Sequence, residues 1–375
     1  MKASSLETRF KDYISKESLF NSKDRLLVAV SGGVDSIVLC HLCQKAGYQF
    51  AIAHCNFQLR GIESDQDSLL VKSIAAGYQV NYFEKNFDTD AYACANKVST
   101  QVAARDLRYA WFKFLLKENN FNYLLTAHHQ DDNVETVLLN FFKGTGIEGL
   151  KGILPKQKNI IRPLLFARKV DLVQYAASGL LPYRNDTSNE SDKYTRNYFR
   201  NKVLPLIAEK FGAVNENIAA NAERFRDIAT IYQQAIDSTI KKLAIQKGEE
   251  LHIPVLKLLQ TPASKTVLFE IIRTHGFSTA QVDEAAKLLY SETGKYVNSI
   301  THRVFRYRQW LIISPLADLH SKCFIIEEND TSVSFEGSQL TFKKLPAQQK
   351  INNDPHNAML NAKDIVYPLI LRRWN

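Results

Sequence analysis

The stretch that most constrains the fold is Leu26-Leu27-Val28-Ala29-Val30, followed by Ser31-Gly32-Gly33-Val34-Asp35-Ser36 and then Ile37-Val38-Leu39-Cys40. Five apolar residues without polar alternation predict a strand buried on both faces, the habit of a parallel sheet. Ile37, Val38, Leu39 and Leu42 predict a helix immediately after it. Two glycines, two serines and an aspartate crowd the six residues between. A strand-to-helix turn of that composition aims backbone N–H groups and small hydroxyls at the positive end of a helix, a setting that suits phosphate. It is not a Walker A loop, because no Gly-Lys-Ser or Gly-Lys-Thr follows at the required spacing. Nor is it a dinucleotide fingerprint, whose glycines are spaced as G-x-G-x-x-G.

From this strand to about residue 145 the pattern alternates. Residues 50–55 and 78–83 read as strands, a helix runs from a cap at Ser99 through Lys117, and residues 122–127 read as a fourth strand. Such alternation predicts an α/β fold with a doubly wound parallel sheet and ligands at the carboxyl ends of its strands. Residues 1–24 read as a short amphipathic helix leading into the sheet. A long helix is expected over 215–247. A small α+β unit follows to 316, with an apolar run at 255–259, helices at 264–274 and 279–290, and strands within 297–313. At 375 residues the chain exceeds one core. It divides into 1–214, 215–316 and a third piece, 317–375, with strand-like alternation at 324–327, 333–335 and 340–342. That last piece reads as a domain cut short, because the sequence stops just after Leu371-Arg372-Arg373-Trp374.

No run reaches the ~18 apolar residues of a membrane span, and the N-terminal stretch, with Glu7 and Asp12, does not read as a signal peptide. Five scattered cysteines without paired zinc spacing fit a reducing, cytoplasmic setting. The formal charge is +9 and unevenly placed: residues 143–210 hold 13 Lys and Arg against 6 Asp and Glu. That concentration points to an anionic partner, nucleic acid first. Arg196, Arg200 and Lys202 punctuate its end. Further on, residues 301–310 read as one strand that sets Arg306, Arg308 and Trp310 on one face, mixing cations with rings as RNA recognition does. Arginines that blunt a strand edge are the competing reading.

Three more stretches carry candidate chemistry. In Thr126-Ala127-His128-His129-Gln130-Asp131-Asp132-Asn133-Val134-Glu135 a strand end delivers two histidines and a helix opens with three carboxylates on a shared face. Acidic residues in a first turn also stabilise a helix by themselves, but this density suits magnesium or a substrate ammonium group. His54-Cys55-Asn56-Phe57 starts a loop that ends in a helix capped at Ser64 or Asp65. Arg105 and Arg108 sit one turn apart, as a solvated face or as a phosphate clamp.

The S-G-G-V-D-S string resembles the pyrophosphate loop of the ATP-pyrophosphatase (PP-loop) superfamily, whose members split ATP into AMP and pyrophosphate. Taken with the other motifs in this order, the chain resembles the tRNA(Ile)-lysidine synthetases within it. The resemblance continues through Lys143-Gly144-Thr145-Gly146, Arg162-Pro163-Leu164-Leu165, Asn185-Asp186-Thr187-Ser188-Asn189 and Arg196-Asn197-Tyr198-Phe199-Arg200-Asn201. It implies an adenine-nucleotide α-hydrolase-like fold with smaller C-terminal domains. It also implies an activity: ATP-dependent attachment of L-lysine to carbon 2 of the wobble cytidine in the CAU anticodon of tRNA(Ile), through an adenylated cytidine. By the same resemblance Ser31, Gly32, Gly33, Val34, Asp35, Ser36 and His54 bind ATP, and Asp35 holds Mg2+. On the residues themselves, Asp132 and Glu135 lead the acidic face that is the candidate site for the lysine substrate, with magnesium as the other reading, and Arg105 and Arg108 are the candidate phosphate clamp. Arg196, Arg200, Lys202 and Arg306 are the candidate tRNA contacts, and family members are often homodimers. Two alternatives stay open: a sulfur-transferring PP-loop enzyme acting on tRNA cytidine, for which Cys40-His41-Leu42-Cys43 offers a C-x-x-C, and a non-catalytic RNA-binding protein on the same fold.

Overall fold

The computed structural model describes residues 5–59, 61–184, 195–316, 324–335, 338–346, 354, 356–361, 363 and 365–371. The 185–189 motif, Arg60 and the 372–374 string lie outside the described residues. The chain divides into two compact units, Met1–Tyr232 and Gln233–Asn375.

The first unit begins with α1 (Leu6–Lys16), capped by the Ser5 side chain accepting from Thr8 N–H. It continues through β1 (Leu26–Ala29), α2 (Val34–Lys45), β2 (Phe50–Asn56), α3 (Ile62–Tyr78), β3 (Tyr82–Asn86) and α4 (Thr89–Asn96). Next come α5 (Thr100–Glu118), β4 (Tyr123–Leu125), α6 (Gln130–Lys143), α7 (Ile147–Leu150), β5 (Lys156–Gln157), β6 (Ile160–Ile161) and α8 (Lys169–Ser178). A short α9 (Thr195–Tyr198) passes through a π-helical turn, Phe199–Val203, into α10 (Leu204–Phe211). The strands order as β3-β2-β1-β4-β6-β5, all parallel except the edge strand β5. The chain winds outward from β1 to β3 and then returns to β4 on the other side of β1. The strand order therefore reverses between β1 and β4, which opens a crevice at their carboxyl ends.

The uninterrupted apolar run of β1 has a direct cause. Leu26, Val28 and Val30 enter one buried cluster with side chains of α1, α2 and α8. Leu27 faces the opposite cluster, with Ala51, Ala53, Trp111, Phe112 and Leu115. Both faces are covered, as the doubly wound reading requires. Cys40 and Cys43 are fully buried in α2 within the first cluster.

The strand expected at 78–83 starts later. Tyr78 ends α3, Gln79 takes the left-handed conformation (φ 56°), and Val80 N–H bonds back to Ala75 C=O at 3.1 Å. This helix ending satisfies carbonyls that a strand would have left bare. α3 itself starts from Gly61, without the side-chain cap expected from Ser64 or Asp65.

The long helix is α11 (Val214–Leu243), which spans the division between the units, and residues 245–247 leave it as β7 (Ile245–Lys247). The second unit adds β8 (Glu250–Pro254), α12 (Val255–Gln260), α13 (Ser264–Arg273), α14 (Thr279–Leu288), β9 (Tyr296–Asn298), β10 (His302–Tyr307) and β11 (Trp310–Pro315). Its sheet is antiparallel, ordered β7-β8-β11-β10-β9. The apolar run at 255–259 is a helix, burying Val255 and Leu258. The strand expected over 301–310 breaks: Tyr307 pairs with Trp310 across a two-residue turn in which Arg308 has φ 51°. Arg306 and Trp310 therefore lie on different strands. Beyond it, β12 (Phe324–Ile326), β13 (Ser332–Phe335), β14 (Ser338–Thr341) and β15 (Leu369–Leu371) form two strand pairs, β12 with β15 and β13 with β14. No helix among the described residues is long and apolar enough to cross a membrane.

Candidate active site

The loop between β1 and α2 is braced from within. Ser36 Oγ donates to Gly33 C=O at 2.8 Å and accepts from Ser31 N–H at 3.2 Å. Gly32 sits at φ +95°, a conformation that a Cβ would strain. Val34 is buried in the core, so it anchors the helix start. Beside the loop, a cavity of about 440 Å³ opens among the carboxyl ends of β1, β2 and β4. Ser31, Gly33, Asp35, Ser36, Phe57 and Arg108 are among the residues lining it. The Arg108 guanidinium lies over the Phe57 ring, 5.0 Å from its centroid. Arg105 is exposed and lies over Tyr109 instead. His54 is 3% exposed, with Nδ1 2.8 Å from Val30 C=O, so its ring supports the strand end from below.

A second cavity, about 890 Å³, shares Asp35 and Asp132 with the first. Here the strand end after β4 and the first turn of α6 place His129 among carboxylates. His129 Nε2 is 3.5 Å from Asp132 and 3.8 Å from Asp35, and Nδ1 is 3.5 Å from Asp131. Burial works to lower its pKa, but Asp131, Asp132 and Asp35 outweigh burial and raise it. Burial works to raise Asp131 and Asp132 as well. For Asp131 the neighbouring His129 ring and the bond from Lys169 N–H prevail, and for Asp132 the charges of His129 and Arg196 do; both carboxyls end low. His128 behaves oppositely: burial, helped by Arg162 and Arg196 against the pull of Asp132, pushes its imidazole down to about 4. Its Nδ1 shares a 2.9 Å hydrogen bond with Thr126 Oγ1.

The carboxylates of this cavity are already paired. Lys169 Nζ donates to both oxygens of Asp35, at 2.7 and 2.8 Å. Glu135 has no exposed surface. Its oxygens accept from Arg196 Nε at 2.7 Å and from Arg200 Nε and Nη2 at 2.6 and 3.0 Å. Arg196 also reaches Asp132 at 3.1 Å. Two arginines expected on an RNA surface thus bond the acidic helix of their own unit. Lys202 lines the same cavity. Arg306 lies in the second unit, in β10, with Nη1 buried.

Sequence reasoning missed Lys169, Arg168 and Arg184. Lys169 N–H donates to Asp131 Oδ2 at 2.6 Å and Arg168 Nε lies 3.9 Å from Asp131. Both follow the Arg162-Pro163-Leu164-Leu165 motif closely, but nothing local distinguishes them from other cations of the basic segment. No group of three or more His, Cys, Asp or Glu among the described residues has a metal-holding arrangement.

A phosphate-suited loop at a topological switch point, facing a carboxylate-rich helix start, defines the class: residues 2–207 match the model of the PP-loop domain. Residues 246–316 match that of the TilS substrate binding domain. Relatives named tRNA(Ile)-lysidine synthase include that of Parabacteroides distasonis, 35% identical over 364 residues (96% of this chain, 82% of that protein). Those of Bacteroides thetaiotaomicron (38% identical, covering 83% and 72%) and Chlorobaculum tepidum (34%, covering 78% and 91%) are similar to it as well. The chain belongs to the tRNA(Ile)-lysidine synthase family.

Proposed function

We propose that this chain uses ATP to ligate L-lysine to carbon 2 of the wobble cytidine in the CAU anticodon of tRNA(Ile), with release of AMP and pyrophosphate. One observation carries the reading: the braced Ser31–Ser36 loop and the carboxylates of α6 open into two cavities that share Asp35 and Asp132, in a chain of this family. ATP takes the smaller cavity. The backbone N–H groups of the loop and the Ser31 hydroxyl meet the pyrophosphate, where negative charge develops as AMP is transferred to the cytidine oxygen. Arg108, fixed on Phe57, adds a cation at the same cavity.

Asp35 carries hard carboxylate oxygens beside the phosphate loop; with the Lys169 ammonium drawn off them they would suit Mg2+, which is ordinarily held by one or two carboxylates with phosphates supplying the rest. When bound there, the ion neutralises charge on the departing pyrophosphate. Substrate lysine takes the larger cavity. Asp132, with 16% of its side chain exposed, meets its ammonium group more readily than Glu135, which is closed behind Arg196 and Arg200. The sulfur-transfer reading loses its support, because Cys40 and Cys43 are buried and burial raises both thiols. The test is mass analysis of a CAU-anticodon tRNA(Ile) incubated with the chain, ATP and lysine. Addition of one lysine to the wobble cytidine is expected. An unmodified tRNA alongside continued ATP consumption would refute the proposal.

A further inference from the structure

Three segments of the first unit meet behind the phosphate loop. Gly32 carries no Cβ, and one built there would sit 3.5 Å from the Asp67 side chain on α3. Arg184, just beyond α8, donates its backbone N–H to Gly32 C=O at 3.0 Å. The same residue's Nε lies 2.8 Å from Asp67 Oδ1. Only 10% of the Asp67 side chain is exposed, so the carboxylate is largely shielded from water, while the Arg184 side chain keeps 37% of its surface.

This contact fixes a direction. In a trans peptide the C=O and N–H point to opposite sides. A Gly32 carbonyl held by Arg184 therefore turns the Gly33 N–H the other way. Gly33 lines the 440 Å³ cavity with Ser31 and Ser36. Among the described residues its N–H is engaged only by a 3.4 Å contact to Ser31 Oγ, a long bond that a phosphate oxygen readily replaces.

We propose that Arg184 and Asp67 are positioning residues that hold the Gly32–Gly33 peptide with its N–H toward the cavity, and so set affinity for the pyrophosphate part of ATP. This rests on that cavity being the ATP site. The guanidinium anchors Arg184 to α3, and the anchored backbone then holds the loop. The Arg184→Ala variant keeps its own N–H but loses the anchor; Asp67→Asn removes the charge with little change of shape.

The experiment is calorimetric binding of ATP, pyrophosphate and AMP to the full chain and to Arg184→Ala, Asp67→Asn and the double variant. ATP and pyrophosphate are expected to weaken about tenfold in each single variant, while AMP, which lacks the pyrophosphate, holds its affinity. The double variant should be no weaker than the singles, because both act through one contact. Arg184→Lys, which keeps the charge, should recover part of the loss. ATP affinity unchanged in both single variants overturns the inference, as does an equal weakening of ATP and AMP, which would mark a general collapse of the site. If the parent chain itself binds neither ATP nor pyrophosphate, the ATP reading of the cavity fails first.

Discussion

Glu135 is the tightest point of the candidate site, a fully buried carboxylate between two guanidiniums that remain 41% and 35% exposed. Removing one partner of a buried pair leaves charge uncompensated and costs about 3–5 kcal/mol in a dry interior. Here water reaches the arginines and screens them. We expect Glu135→Gln to destabilise the chain by about 1–3 kcal/mol, read as a lower urea midpoint at unchanged slope. A midpoint equal to the parent's would mean that the ion cluster does not stabilise the fold. His128 makes a separate, pH-dependent prediction. Its pKa is about 4 in the folded chain, against 6.5 when unperturbed. Between those values the unfolded chain binds more protons, so stability falls as pH drops through the window and levels off below it. The loss is at most about 3 kcal/mol. His129, whose pKa is raised, has the opposite sense, its contribution fading as pH rises above the usual histidine value. Unfolding free energies measured from pH 7 to 4 should decline less steeply in His128→Asn than in the parent; parallel curves would rule out this histidine as the cause.

Among the elements, the β10–β11 hairpin tests how a turn limits a sequence reading. Arg308 occupies a left-handed position (φ 51°) that glycine adopts without a Cβ clash. Arg308→Gly should stabilise the chain by about 0.5–1 kcal/mol, seen as a raised melting temperature. A lowered one would show that the Arg308 stacking on Tyr307 outweighs the strain. No glycine or asparagine marks this turn, so the sequence read straight through it as one strand. The end of α3 was hidden in the same way, because Gln79 caps it where a glycine is usual. By contrast, β1, α5 with its Ser99 cap and α13 were legible, since their burial follows directly from apolar spacing. The phosphate loop was legible because its glycines and serines answer a local demand. Lys169 and Arg184 were not, because their partners Asp35 and Asp67 lie more than a hundred residues away in the chain.

Across the whole molecule the same distinction governs charge. The basic segment 143–210 suggested a broad cationic surface for RNA, yet several of its cations are already matched inside the first unit. Arg168 meets Glu216, Lys169 meets Asp35, Arg184 meets Asp67, and Arg196 and Arg200 meet Glu135. Arg162 is buried, with Nη1 donating to Leu154 C=O and Nη2 to Gln157 Oε1. A cation that already neutralises a carboxylate releases few counterions when RNA binds, so composition overstates the electrostatic footprint. Lys143, Lys158 and Lys210 differ: they are exposed, and the described residues show no ion pair for them. If the segment faces tRNA, removing a phosphate-neutralising cation should lower the slope of log affinity against log salt by about one unit. We therefore expect Lys143→Ala or Lys210→Ala to reduce the slope by up to that amount. Arg200→Ala should leave the slope nearly unchanged while weakening the site it braces. Tight tRNA binding measured across a range of salt in the three variants decides it. A full-unit drop for Arg200→Ala, with none for the lysines, would mean that tRNA pulls the arginine off Glu135 and takes its charge directly.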